Sequence, residues 1–306
     1  MAEHLSRCGH QIILGTRSMR SEPNWLPLAE IAVTDWENSG SIQQACRKVD
    51  LVIHAAGLNA QDCAAAPVLG LYTNGVVTAR LAEAASRAGV RRIVFLSTAH
   101  VYSSPLTGTI TEHTCPRNLH PYATSNLAGE NAVLAANAMG IIEGTVLRLA
   151  NAYGAPTHPD TDCWKLLIND LCRQAVENRQ LILQSSGAQE RDFLPIFELC
   201  RAIENLVLAT GSDSQTGVIN VCTGRSQSVR EVAVTIQERC VDILGFRPDL
   251  KVQAHRDKLV AYHSLNYNSV RADFYKINSD PKIHKLEIDR LLQYTDKVFG
   301  KYCGIR

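Results

Sequence analysis

Short apolar runs alternate with longer stretches of helical spacing through the first half of the chain, a rhythm that predicts βαβ units and a parallel sheet. Residues 12–14, 31–33, 51–55 and 92–97 read as strands, and residues 41–48 and 71–88 as helices. The run 92–97 leads into a hydroxyl pair, Ser97 and Thr98, at the C-terminal end of its strand. In open α/β sheets that edge is where ligands bind. A Pro- and Thr-containing loop over 103–119 precedes a helix over 121–139, with Pro121 at its first turn and Gly140 as its stop, and then a strand over 142–147. Beyond Asn151 the spacing is less regular, with helices over 164–177, 199–209 and 229–244, strands over 181–183 and 218–220, and a helical tail from Lys282. The pattern predicts two interleaved parts, an α/β domain over 1–165 and a smaller lobe over 166–306.

Composition narrows the function classes. Of 306 residues, 45% are hydrophobic and 20% charged, enough apolar material for a sizeable core. The formal charge of +1, from 31 basic and 30 acidic residues, gives no global field to draw nucleic acid or an anionic membrane. An anionic substrate would therefore be held by a few placed arginines. No segment approaches the roughly 20 consecutive apolar residues of a membrane span, and the polar start MAEHLSRCGH is unlike a signal peptide, so a cytoplasmic protein is expected. The ten cysteines, among them Cys8, Cys46, Cys63, Cys115, Cys163 and Cys222, form no C-x-x-C pair. Reduced, structural thiols and no metal site are expected.

The chemistry-bearing combination is Thr98, closing one strand, with Tyr122 on the first turn of the next helix. A phenol near a nicotinamide ring passes a proton to or from a sugar hydroxyl while hydride moves the other way, given a cation that lowers its pKa of about 10. The Thr98 hydroxyl would share that proton. Each residue also has a plainer reading, Thr98 as a strand-end partner of the backbone and Tyr122 as a packing aromatic.

The segments LVIHAAG (51–57), YTNGVVTARLAEAASRAGVRRIVFLSTAHVYS (72–103), PYATSN (121–126), LRLANAYG (147–154), RDFLPIFELCRAI (191–203) and GVINVCTGRSQSVREV (217–232) follow in that order. As a set they resemble the extended short-chain dehydrogenases that act as nucleotide-sugar epimerases, dehydratases and reductases. The resemblance implies a Rossmann-like, doubly wound parallel sheet, NADP or NAD as cofactor, a nucleoside-diphosphate sugar as substrate and a homodimer paired through helices 71–88 and 121–139. It assigns Thr98 and Tyr122 to the reacting oxygen, His54, Ala55, Ala56 and Gly57 to a loop against the cofactor, Asn74 to a structural helix position, and Asp35 to the adenine. Thr16 and Arg17 stand where the family carries an acid for the ribose 2′-hydroxyl, which favours a 2′-phosphate. Asn151, Arg191 and Arg271 resemble the residues that grip the sugar nucleotide's phosphates.

Three departures matter. The Asp-Glu pair of the dehydratases is replaced by Ala99 and His100, which argues against a 4,6-dehydratase. The lysine one turn after the family's tyrosine is Asn126, which can bond a ribose but brings no charge. Residues 2–9 resemble the end of the family's first Rossmann helix, so its first strand and glycine-rich loop would precede Met1. Two readings follow: an NAD(P)-dependent epimerase or reductase of nucleotide sugars, or a catalytically impaired relative that binds them.

Overall fold

The computed structural model describes residues 1–18, 23–209, 216–253, 264–275 and 277–300. Helix α1 (Ala2–Arg7) leads into strands β1 (Ile13–Thr16) and β2 (Glu30–Val33), helix α2 (Ser39–Ala45) and β3 (Leu51–His54). Two short helices, α3 (Ala60–Ala65) and α4 (Pro67–Gly70), continue through a π-helical turn (Leu71–Val76) into α5 (Val77–Arg87). Then come β4 (Arg92–Thr98), β5 (Gly108–Ile110), α6 (Pro121–Ala138), β6 (Glu143–Leu149) and β7 (Asn151–Tyr153). The second half contributes α7 (Leu167–Asn178), β8 (Gln180–Leu183), β9 (Glu190–Pro195), α8 (Ile196–Leu208), β10 (Gly217–Val221) and β11 (Ser226–Ser228). It closes with α9 (Val229–Leu244), β12 (Asp249–Val252), β13 (Leu265–Tyr267), α10 (Ala272–Tyr275) and α11 (Pro281–Phe299). None of the helices among the described residues is long and apolar enough to cross a membrane.

The main sheet is parallel, in the order β10-β6-β4-β3, and β1 and β2 form a separate parallel pair. Strand β4 is buried on both faces, and its alternation sorts its side chains. Ile93 and Phe95 join a core with Leu81 and Ala85 of α5 and Val133 of α6, whereas Val94 joins Leu147, Ile219 and the α8 residues Leu199, Ile203 and Leu206. Helices therefore cover both faces, as a doubly wound sheet requires. A third core lies in the C-terminal part, where α7, α9 and α11 pack together around Leu171, Ile236 and Leu291. Strand β10 returns from that part to pair with β6, so the two halves share one sheet.

Several ends are fixed by side chains. Ser228 and Glu231 form a reciprocal capping box at the start of α9, and Gly245 takes the left-handed conformation that ends it. Arg92, fully buried at the start of β4, donates to the carbonyls of Leu206 and Ala209 and so satisfies the C-terminal end of α8. Helix 71–88, expected to be regular, begins as a π turn, which puts Asn74 into the interior at 2% exposure. Strands β5, β7, β11 and β13 have three residues each, too few for alternation to reveal in the sequence.

One ion pair ties the layers together. Glu130 of α6, with no exposed surface, accepts from Arg148 of β6, with Nη2 to Oε2 at 2.6 Å and Nε at 3.1 Å from both carboxylate oxygens. It also accepts from the Ser97 hydroxyl of β4. Arg148 lies over the Tyr102 ring at 4.7 Å, and the Tyr102 hydroxyl donates to Asn220 of β10. Replacing Glu130 by alanine should cost about 3–5 kcal/mol, because it leaves a buried guanidinium unpaired. Urea unfolding would measure this, and Glu130→Leu combined with Arg148→Met should recover a large part of the loss.

Candidate functional site

At the C-terminal ends of β3 and β4 lies a cavity of about 200 Å³. Ala55, Ala56, Gly57, Leu58 and Asn59 form one wall, Phe95 and Leu96 another, and Asn74, Tyr122 and Asn126 complete it. Its loop is held by Asn74, whose Oδ1 accepts from the Leu58 amide at 2.7 Å and whose Nδ2 donates back to the Leu58 carbonyl at 3.2 Å. A Cβ on Gly57 would stand 2.9 Å from that same Oδ1, so only glycine leaves the grip intact. Gly129 of α6 serves the next layer: a Cβ there would meet the Asn74 carbonyl at 2.4 Å. Helix α6 and the π turn thus approach backbone to backbone.

Tyr122 enters from α6, whose start is set by Pro121 and by His120, the N-cap that accepts from the Tyr122 amide at 3.2 Å. Its phenol shares a hydrogen bond with Thr98, and burial pushes its pKa above the ordinary tyrosine value, against the lowering effect of that bond. The Asn126 amide turns back along its own helix and donates to the Tyr122 carbonyl at 2.8 Å. None of the ten residues lining the cavity is charged.

The site continues from Thr98 toward the C-terminal part. Thr98 accepts from the His100 amide at 3.2 Å, and the His100 ring bonds the Asn151 side chain. Asn151 also donates to the Asp192 carbonyl at 3.1 Å. Arg191, next to His100, forms no ion pair among the described residues; its Nη2 donates to Gln189 at 3.0 Å and its buried Nε has no partner. Burial lowers the pKa of His100, reinforced by the Arg191 charge, and burial lowers that of Arg191 too. A half-buried guanidinium with one buried, unmet donor is suited to an anion that completes its fork.

Two expected site residues stand elsewhere. Arg271 donates to the Thr216 carbonyl at 2.7 Å, at the N-terminal end of β10, which is the end of the parallel sheet opposite Thr98. It cannot share a phosphate with Arg191 in this arrangement. His54 is 3% exposed, bonded to Thr78 at 3.0 Å and stacked on Phe95, and it points into the core rather than into the cavity. Thr16 and Arg17 stand at the end of β1 and Asp35 just past β2, outside the cavity walls. Asp35 organises its own loop, accepting from the Glu37 amide at 2.9 Å.

Glu130, Arg148 and Cys63 have no part in the constellation expected from the sequence. Glu130 follows Tyr122 and Asn126 at helical spacing, and Arg148 interrupts an apolar strand, so both carried a visible signal. Cys63, fully buried behind the cavity wall, sits 3.5 Å from Asn74 Nδ2 and 3.9 Å from Ser125 Oγ and carried none.

The model of the NAD dependent epimerase/dehydratase family matches residues 1–222. A putative UDP-glucose 4-epimerase of Methanocaldococcus jannaschii is 27% identical over 239 residues, covering 77% of this chain and 75% of that protein. The dTDP-6-deoxy-L-talose 4-dehydrogenase (NAD(P)(+)) of Kitasatospora kifunensis is 34% identical over 199 residues, which cover 62% of this chain and 59% of that protein. The match thus spans less than two thirds of the second relative. Among solved structures, MoeE5 in complex with UDP-glucuronic acid and NAD superposes with a TM-score of 0.78 at 23% identity, covering 96% of this chain and 93% of that one. The UDP-glucose 4-epimerase of Thermotoga maritima with UDP-glucose gives the same TM-score at 18% identity, over the same shares. These likenesses establish the Rossmann-like fold.

Burial holds the His54 pKa at about 4, against an ordinary value of 6.5. Between those limits the unfolded chain takes up a proton that the native chain refuses, so the stability present above pH 6.5 is lost as pH falls toward 4. Asp192, pushed up to about 6 by burial, acts oppositely, because its native carboxyl keeps a proton that the unfolded chain releases. Comparing His54→Gln with the unmodified protein isolates the first effect. The stability gap should move in the variant's favour by about 3 kcal/mol over this range. Urea unfolding at several pH values measures it, and a gap independent of pH would refute the assignment.

Proposed function

Because the chain belongs to the NAD dependent epimerase/dehydratase family, we propose that it is an NAD(P)-dependent enzyme acting on a nucleoside-diphosphate sugar, as an epimerase or reductase at a ring hydroxyl or ketone. The observation that carries this reading is Arg191, a half-buried cation with a buried, unmet Nε and no carboxylate partner among the described residues, set beside His100, which with Asn151 lies between it and Thr98. A sugar diphosphate would place its charge at Arg191 and Asn151 and its reacting oxygen between Thr98 and Tyr122. The absence of carboxylates at Ala99 and His100 disfavours elimination of water.

The residues around the cavity fit part of a nicotinamide dinucleotide. Small side chains at Ala55, Ala56 and Gly57 permit close backbone approach, and Tyr122 and Asn126 offer polar groups to a ribose. The uncharged lining suits the nicotinamide and its ribose rather than a pyrophosphate. Thr16, Arg17 and Asp35 would serve the adenosine end, with NADP or NAD. Such a cofactor supplies or accepts the hydride. The chain's own part is the proton: Thr98 orients the substrate oxygen and Tyr122 exchanges a proton with it.

The protonation state of Tyr122 favours one direction. Burial raises its pKa, and no cation acts on it among the described residues, so near neutral pH it is a phenol. A phenol donates to the oxygen of a ketone being reduced, whereas oxidation of a hydroxyl needs phenolate. Reduction of a keto-sugar nucleotide is therefore the favoured reaction. A second reading, binding without turnover, is supported by Asn126, which gives its amide to its own helix. Exposed Val68, Leu69 and Leu71, leading into the π turn, suit a homodimer paired through this region and α6.

UDP-glucose or dTDP-glucose should raise the melting temperature, and Arg191→Ala should weaken binding about ten- to a hundredfold, the loss of a charge-assisted contact worth about 1.5–3 kcal/mol. Tyr122→Phe should abolish hydride transfer while keeping that ligand stabilisation. Asn126→Lys should lower the pH at which oxidation of a sugar hydroxyl sets in by about one to three units. If neither nucleotide sugar shifts the melting temperature, the proposal fails. Ligand stabilisation without hydride transfer, even in Asn126→Lys, selects the second reading.

A further inference from the structure

Far from the cavity, α1 and α8 bring together three groups that the proposed reaction does not use. His4 and Cys8 are four residues apart at α1 and its C-cap, so they project on one side. Glu204 faces them from α8. His4 Nε2 lies 2.8 Å from Glu204 Oε2 and 3.9 Å from Cys8 Sγ, and the three ligand atoms all lie within 4.8 Å of one another. We propose that His4, Cys8 and Glu204 bind a divalent transition metal of the zinc class, clipping α1 to α8.

Geometry and charge support this. Zinc bonds of about 2.0–2.3 Å in a tetrahedral arrangement separate ligand atoms by roughly 3.3–3.8 Å. The 2.8 and 3.9 Å separations bracket that range and the third is within 4.8 Å, so side-chain shifts of about an ångström would close the site. An imidazole, a thiolate and a carboxylate form the mixed N, S and O set that zinc accepts, and the two negative charges balance a dication. The His4 ring is oriented edge-to-face by Phe197 at 6.2 Å and 87°. Cys8 is exposed, which leaves an entry path and an open fourth position for water.

The metal-free state has its own logic. An ion pair accounts for His4 and Glu204, but such surface pairs contribute only about 0–1 kcal/mol and do not require a thiol beside them. The Cys8 thiol carries its proton near neutral pH and sits with Sγ 3.9 Å from His4 Nε2. Metal binding replaces that proton: the S–H bond breaks, the sulfur–metal bond forms, and the proton passes to solvent. Affinity should fall as pH is lowered. A scan for paired cysteines misses the site, because its third ligand is 200 residues away in sequence.

The test is titration of the chelator-treated full chain with Co2+ and with Zn2+. One Co2+ per chain should produce a thiolate-to-cobalt charge-transfer band and the visible absorption of tetrahedral coordination, and Zn2+ should displace it. Cys8→Ser should abolish the charge-transfer band. His4→Ala and Glu204→Gln should each weaken binding by about tenfold or more, at least the loss seen when a group that merely supports a metal ligand is removed. Cys115→Ser, at the other exposed cysteine among the described residues, should change nothing. Absence of the band, its survival in Cys8→Ser, or its loss in Cys115→Ser would overturn the proposal. The readout is independent of nucleotide-sugar turnover, so its failure leaves the proposed function untouched.

Discussion

The buried pairing of Glu130 with Arg148 is the constraint on which the rest of the structure turns. A carboxylate with no exposed surface is tolerable only because a guanidinium and a hydroxyl satisfy it, and those partners come from two different strands. Helix α6 is thereby fixed in both rotation and height against β4 and β6. Tyr122 and Asn126 lie two turns and one turn before Glu130 on the same helix face, and Thr98 follows Ser97 on β4. The pair therefore sets the distance between phenol and threonine hydroxyl. Gly129 and the Asn74 carbonyl finish the alignment from the other side, by an approach too close for any Cβ.

Arg148, buried, and Arg191, half-buried, show how the same side chain serves opposite ends. Arg148 has its carboxylate and an aromatic face, so its charge is spent within the fold. Arg191 is held by a glutamine and keeps a buried donor unmet. In a chain with a formal charge of only +1, an anion site would have to rest on such local placement. The phenol of Tyr122 has no comparable cation among the described residues and is left to burial and to Thr98. On the proposed reading, that combination would couple an anion-accepting end to a proton-donating end.

Much of the fold was legible because long elements repeat their pattern often enough to be read. Helix α9 has the expected bounds, and β4 and α6 differ from expectation by a residue at one end. What escaped was short or mixed: the three-residue strands, and β9, whose first half, Glu190, Arg191 and Asp192, is charged. At the site, Thr98 and Tyr122 stood out from their places at a strand end and a helix start, whereas Asn126, Asn151 and Arg191 were expected from the family resemblance alone. His54 and Arg271 were misplaced for a common reason. Sequence position assigns a residue to a strand end or a loop, but not the direction in which its side chain leaves.

The sequence by itself determined the alternation of strands and helices, the hydroxyl at the end of β4 and the tyrosine on the first turn of α6, and its resemblance to the family marked the missing cation at Asn126. All but the last follow from chain-local periodicity and residue chemistry. Only the tertiary structure decided that Asn74 grips the Leu58 peptide, that Arg191 keeps a buried donor unmet with no counter-charge among the described residues, that Arg271 stands at the far end of the sheet, and that His4, Cys8 and Glu204 meet. The physical reason is that burial and pairing are properties of segments brought together across the chain. Their energies depend on which groups replace water around a side chain, and no linear pattern records that exchange.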